Sequence, residues 1–136
     1  MGRLRIICSL GFALLSKSFL CGTPLGIDGE EWGNVETNEI HEVLSSTLSL
    51  FQPSSPTLQK HPIVVSSTSS DPKVLYELRD GHAYHIQLTA KNRHWCQYVF
   101  QFAHELGHIM CNFRKENNAN LWFEESICEV TSLYAL

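Results

Sequence analysis

The sequence predicts one α+β domain in which a small, mostly antiparallel sheet is followed by two helices. Apolar residues occur at helical spacing from Thr37 to Phe51, alternate with polar residues between 73 and 90, and return to helical spacing from 93 onwards. The chain has 136 residues, the size of a single domain, and its hydrophobic fraction of 43% is enough to form a core.

The first predicted helix begins at Thr37 or Asn38, since either residue is a suitable cap, and it ends before Pro53. The preceding segment, 22–36, is rich in glycine and acidic residues and is predicted to be a loop.

A β-hairpin is predicted at 73–90, where the alternating pattern surrounds Asp80-Gly81. Asp-Gly is among the strongest short signals for a hairpin turn. The apolar run 62–67 can join this hairpin as a third strand.

Two helices are predicted in the second half of the chain. The first covers about 93–113, and the second follows a polar connector at 114–120 with Asn120 as its cap. Four apolar residues recur at helical spacing in the second helix and are assigned to the core: Phe123, Ile127, Val130 and Tyr134.

The N-terminal segment 1–21 has the layout of a secretory signal, with two arginines, a short apolar stretch and small residues after it. We expect a signal peptide or membrane-targeting segment here, an exported (secreted or cell-envelope) protein, and a folded domain at 22–136. The alternative is an ordinary N-terminal helix in a cytoplasmic protein. No apolar run is long enough for a stable membrane span. The net charge of -4 argues against a nucleic-acid partner.

Three cysteines of the domain, Cys96, Cys111 and Cys128, are expected to be buried or half-buried free thiols, because their spacing is not that of a disulfide framework. Cys96 and Cys111 would lie about 22 Å apart along one helix, too far to pair. A disulfide between Cys111 and Cys128 is the alternative.

The segment His104-Glu105-Leu106-Gly107-His108 is the motif that points to a reaction. On a helix, histidines four residues apart project from one face and can bind one zinc ion. Glu105 lies about 100° around the helix from His104, so it can contact a water at the metal without being a ligand. Zinc would lower the pKa of that water, and Glu105 would take its proton as general base.

A catalytic zinc needs a third protein ligand, and the last helix offers three carboxylates, those of Glu124, Glu125 and Glu129. Glu125 and Glu129 share a helix face. One of them can bind zinc while the other, one turn away, accepts the spare N–H of a ligating histidine. Interaction with the helix dipole is the alternative explanation of this acidic run, and it fits Glu124 better than Glu129.

These residues resemble the gluzincin zinc metallopeptidases, the group of thermolysin and the aminopeptidase N-type enzymes. The segment 121–128 (LWFEESIC) is similar to the LWLNEGFA of the aminopeptidases, whose glutamate is the third ligand. The resemblance implies that Zn²⁺ is bound by His104, His108 and Glu125. It also implies Glu105 as the catalytic base, and Glu129 as the residue that orients the first histidine.

The resemblance further implies a minimal zincin-like core, in which an active-site helix and a glutamate-bearing helix lie beside the sheet. An edge strand, here Tyr84–Ala90, would pair with the extended substrate backbone. The segment 83–136 also resembles a group of small bacterial-type proteins with a W-F-E-E-S/T-x-C-E signature, which implies no particular substrate.

The expected function is zinc-dependent hydrolysis of peptide bonds, in a peptide or protein substrate, by a metal-bound water. Two departures from the family are visible: the exopeptidase motif is missing, and the spacing between His108 and Glu125 is slightly short. Larger relatives use a later domain to supply a tyrosine or histidine to the tetrahedral intermediate. Here one of four residues would have to serve, or none does, and an ordinary structural role is expected for each: Tyr134, Tyr84, His82 and His85.

A function of a different class is a non-catalytic binding domain that zinc stabilises. Structural zinc sites usually have four protein ligands, and Cys111, three residues after His108, could provide the fourth. A truncated fragment of a larger metalloprotease is the third interpretation.

Overall fold

The computed structural model describes residues 24–115 and 118–136, and it confirms the α+β class. The chain forms strand β1, helix α1, strands β2, β3 and β4, and helices α2 and α3. Their bounds are Leu25–Asp28 for β1, Thr37–Phe51 for α1, Ile63–Ser67 for β2, Lys73–Arg79 for β3, Ala83–Leu88 for β4, Trp95–Met110 for α2 and Leu121–Ala135 for α3. Short 3-10 turns occupy Gln52–Ser54 and Asn118–Asn120.

The sheet is mixed, with the strand order β1-β2-β4-β3, so the prediction of a mostly antiparallel sheet is wrong. Only β3 and β4 are antiparallel, whereas β1–β2 and β2–β4 are parallel pairs. The predicted hairpin is confirmed, and Asp80 and Gly81 both have positive φ in its turn. The chain reverses after β2 and again after β3, so β2 and β4 run in the same direction.

Strand β1 lies in 22–36, which was predicted to be a loop. It is four residues long and contains Gly26 and Asp28, residue types that are rare in strands. Its parallel pairing with β2, in the register Leu25 to Ile63, is a contact distant in sequence that local composition does not reveal.

The core lies between the sheet and the two helices α1 and α2. Helix α1 begins at the expected position, but its N-cap is Glu36, whose backbone N–H donates to Glu39 in the first turn at 3.2 Å. Thr37 and Asn38 therefore lie inside the helix rather than at its cap. The core includes Ile40, Leu44, Ile63, Ile86, Phe102 and Leu106, all of them fully buried.

Helix α3 packs on α2 through small residues, not through the predicted apolar stripe. Cys128, Thr131 and Ser132 are the buried residues of α3, and the Ser132 hydroxyl donates to the Phe100 carbonyl of α2 at 3.0 Å. The four residues that were assigned to the core have exposed fractions from 36% to 72%: Phe123, Ile127, Val130 and Tyr134.

Gly107 of α2 explains why α3 packs on α2 through its small residues. A Cβ atom at Gly107 would lie 2.8 Å from the Sγ atom and 2.9 Å from the Cα atom of Cys128. The two helix backbones therefore approach each other closely at this point, and only small side chains fit between them.

The three cysteines of the described chain are free, as predicted. Cys128 is buried and Cys111 is half-buried, but Cys96 is exposed, contrary to the expectation. Within 24–115 and 118–136, no helix has the length and apolar character that a membrane crossing requires. The predicted signal segment, 1–21, lies outside the described residues.

Candidate metal centre

Helix α2 presents His104 and His108 toward α3. The histidine ring centroids are 5.2 Å apart, and the side chains are 17% and 9% exposed. The i, i+4 spacing on a helix places the rings on one face, as the motif predicted. The pair is reachable from solvent but largely shielded by protein.

Glu125 of α3 faces both imidazoles. Its Oε2 atom lies 3.1 Å from Nε2 of His104, and its Oε1 atom lies 3.6 Å from Nε2 of His108. Two ligand atoms that are each about 2.0–2.1 Å from a tetrahedral zinc are themselves about 3.3 Å apart. Glu125 thus offers one carboxylate oxygen to each imidazole at about this spacing, and imidazoles and carboxylates are donor types that zinc accepts.

The other two carboxylates of α3 contact the remaining nitrogens of the histidines. Oε1 of Glu124 lies 2.7 Å from Nδ1 of His108, a hydrogen bond when that nitrogen carries its proton. Oε1 of Glu129 lies 3.8 Å from Nδ1 of His104, the histidine that it was predicted to orient. The hydrogen bond from His108 to Glu124 favours the tautomer whose Nε2 lone pair is free for a metal, whereas Glu129 lies beyond hydrogen-bond distance of His104. The role of Glu124 was missed, because two adjacent helical residues are not expected to serve two different histidines.

Glu105 is buried, with 3% of its surface exposed, and it accepts a hydrogen bond from the backbone N–H of Val74 in β3. Burial is the main cause that raises the pKa of this carboxyl, which is about 7; the charge of Glu125 adds to the shift, and His108 and the Val74 amide oppose it. A carboxyl with a pKa near neutrality can both accept and release a proton at physiological pH.

These groups line a groove of about 350 Å³ between α2, α3 and the edge strand β3, here called the α2–β3 groove. Its walls include Val74, Tyr76, His104, Glu105, His108 and Glu125. Strand β3 lies at the edge of the sheet and β4 lies inside it, so the prediction that Tyr84–Ala90 is the edge strand at the site is wrong. The hairpin pattern alone does not say which of its strands pairs with β2.

Tyr76 is the phenol in this groove, and sequence analysis missed it. Its ring centroid lies 6.4 Å from that of His108. Burial raises the pKa of its hydroxyl well above the ordinary value, and the nearby carboxylates of Glu124, Glu105 and Glu125 add to the effect. The hydroxyl is therefore a neutral hydrogen-bond donor. Alternation along β3 placed Tyr76 on the core side, which looked like ordinary packing.

The four residues considered for this role lie elsewhere. Tyr134 packs against Phe51 on the far part of α3, and the hydroxyl of Tyr84 donates to the Thr57 carbonyl. His82 lies in the hairpin turn, and His85 pairs with the Ser66 hydroxyl at 2.8 Å. The ordinary structural role expected for these residues agrees with their positions.

A thiol also lies close to the histidines. Ligand atoms of His104, His108 and Cys128 are within 4.8 Å of one another. In the described part of the chain this group contains Cys128 and not Cys111, which sequence analysis had considered as a fourth ligand. Burial raises the pKa of the Cys128 thiol, which keeps it protonated when no metal is bound.

Comparison with protein-family models, with curated proteins and with solved structures found no match to this chain.

Replacement of the two adjacent glutamates by alanine should separate the proposed ligand from its neighbour. We expect Glu124→Ala to weaken zinc binding about 10- to 100-fold, the usual cost of losing a partner of a ligating histidine. Glu125→Ala should weaken it more, because a direct ligand is lost. Competition with a chromophoric chelator measures both affinities, and Glu42→Ala, on exposed α1 surface, is the control. Equal affinities for the two variants would refute Glu125 as the ligand.

Proposed function

We propose that the protein is a zinc-dependent peptidase of the gluzincin type. The observation that supports this most is the position of a buried carboxyl, Glu105, beside two histidines and Glu125 in a groove that is open to solvent. A site that only binds metal does not need another buried carboxyl, such as that of Glu105, beside its ligands.

His104, His108 and Glu125 would hold the zinc ion. When bound, zinc supplies Lewis-acid chemistry: it makes a water molecule more acidic and polarises a peptide carbonyl. Glu124 and Glu129 would keep the imidazoles in the tautomer and orientation that ligation needs.

Glu105 would move the proton. Its carboxylate accepts a proton from the attacking water and then passes it to the leaving amine, so the same group acts first as base and then as acid. The hydrogen bond from the Val74 N–H holds the carboxyl in the groove.

Two features of β3 would serve the substrate. An edge strand has unpaired backbone N–H and C=O groups, with which an extended peptide can pair. Tyr76 could donate a hydrogen bond from its hydroxyl to the oxygen on which negative charge develops in the transition state. The exported location expected from 1–21 is compatible with such an enzyme and remains a prediction from sequence.

A second candidate function is supported by Cys128. If its thiolate joined His104, His108 and Glu125, the metal would have four protein ligands, as structural zinc sites usually do. The ion would then tie α2 to α3 and leave no position for water. The protein would be a binding domain rather than an enzyme.

Glu105→Gln should retain zinc and lose peptide hydrolysis. Glutamine keeps an acceptor for the Val74 N–H but cannot accept a proton, so we expect kcat to fall about 100- to 10,000-fold. Bound zinc and cleavage of a mixed peptide library by mass spectrometry measure the two effects. Glu42→Gln, on an exposed position of α1 away from the groove, is the control. Hydrolysis that is unchanged in Glu105→Gln, or that the wild type lacks, would reject the peptidase.

Tyr76→Phe should lower kcat about 100-fold or more with little change in KM, because the donor acts on the transition state rather than on the bound substrate. Tyr134→Phe removes a hydroxyl that is far from the groove and should leave both constants unchanged. A rise in KM alone would assign Tyr76 to substrate binding. An unchanged kcat would remove it from the mechanism.

Cobalt substitution should distinguish the open metal site from the closed one. A thiolate bound to Co²⁺ gives an intense charge-transfer band in the near ultraviolet, and ligation by nitrogen and oxygen alone does not. The peptidase proposal predicts no such band in the cobalt-loaded wild type. A band that is present in the wild type and in Cys111→Ser but missing in Cys128→Ser would favour the closed, structural site.

A further inference from the structure

Two lysines stand at the α2–β3 groove. Lys73, the first residue of β3, and Lys115, which follows α2, both line it. Both side chains are exposed, so their ammonium groups are free to reorient toward a bound ligand. They belong to different elements and approach the groove from β3 and from the segment after α2.

The carboxylates of the groove are already engaged by other groups. Glu105 accepts the Val74 N–H, and Glu124 and Glu125 face the two histidines. Within the described ranges, neither lysine has a carboxylate at ion-pair distance, and the ammonium group of Lys73 donates only to the Ser70 hydroxyl, at 3.1 Å. Among the described residues, the two ammonium groups therefore form no ion pair that an anionic ligand would have to displace.

The same two lysines also line a second groove, which runs along β3 from Lys73 to Arg79 and past His85. The charge of Arg79 is balanced by Asp28, whose carboxylate lies 2.6 Å from the guanidinium. An extended chain that pairs with β3 would pass both lysines next to the metal centre. An anionic group on that chain would meet two lysines that form no ion pair among the described residues.

The net charge of the whole protein limits how an anionic ligand can be attracted to the groove. The net charge of -4 repels anionic ligands at long range. An anionic substrate therefore depends on local attraction, which Lys73 and Lys115 provide only to a carboxylate that lies in the groove.

We propose, on the basis of the peptidase function above, that the groove selects peptides with a carboxylate next to the bond that is cleaved, and that Lys73 and Lys115 bind this carboxylate. The carboxylate can come from an aspartate or glutamate side chain or from a free C-terminus. Both lysines act as specificity-determining residues, not as catalytic ones.

Peptide binding to the zinc-loaded Glu105→Gln protein tests the proposal without relying on hydrolysis. Four labelled versions of one peptide are compared by fluorescence anisotropy: glutamate or glutamine at one internal position, each with a free or an amidated C-terminus. We expect the carboxylate-bearing versions to bind more tightly, with the preference falling about two- to fivefold for each of Lys73→Gln and Lys115→Gln. The effect should weaken at high salt. The amidated glutamate peptide and the free-acid glutamine peptide separate the two sources of the carboxylate.

Lys60→Gln is the matched control, since it removes the same charge from an exposed position that lines neither groove. Equal binding of all four peptides, or a preference that Lys73→Gln and Lys115→Gln leave unchanged, would overturn the proposal. Cleavage of the same peptides by the wild type separates the two proposals. Cleavage without preference refutes the role of the lysines and supports the peptidase. Selective binding without cleavage supports the lysines and refutes the peptidase.

Discussion

The close contact between α2 and α3 at Gly107 is the constraint on which the candidate site depends. Gly107 lies between the two histidines in sequence, and Cys128 packs against its backbone, with only 2.8 Å available to a Cβ atom. Because α3 approaches so closely, glutamates one turn before Cys128 come within 2.7–3.6 Å of the imidazole nitrogens. A side chain as small as alanine at Gly107 would have to move α3, and the distances between the histidines and the glutamates would change with it.

This contact brings three carboxylates of α3 to the two imidazoles of α2, beside which Glu105 of the same helix already lies: those of Glu124, Glu125 and Glu129. Carboxylates that share a partly buried site repel one another, and burial adds a desolvation cost to each charged form. A divalent cation between the histidines would offset this repulsion, and it would use the atoms that already face each other. The electrostatics of the cluster are therefore compatible with the proposed metal site.

Features that depend on neighbouring residues could be predicted from the sequence, and features that depend on distant contacts could not. The spacing of His104 and His108 places both on one face of any helix, and Asp80-Gly81 fixes the hairpin turn, so both predictions agree with the structure. The direction of β2, the existence of β1 and the exposure of β3 at the sheet edge are set by pairings between segments far apart in the chain. The position of Tyr76 in the groove also depends on such a distant pairing, because β3 lies next to α2 only in the folded sheet.

Helix α3 cannot both bury its apolar stripe in the core and direct its glutamates toward the histidines. Burial of its apolar stripe would stabilise the fold by about 1.5–3 kcal/mol for each large side chain. That orientation would require a rotation of α3 about its axis, which would turn Glu124 and Glu125 away from the histidines. The helix instead packs its small face on α2 and leaves Phe123 and Val130 exposed. A pattern of hydrophobic residues predicts the opposite, and such a conflict between local pattern and observed packing is typical of functional sites. The orientation of α3 is therefore itself an argument that the cluster around His104 and His108 has a function.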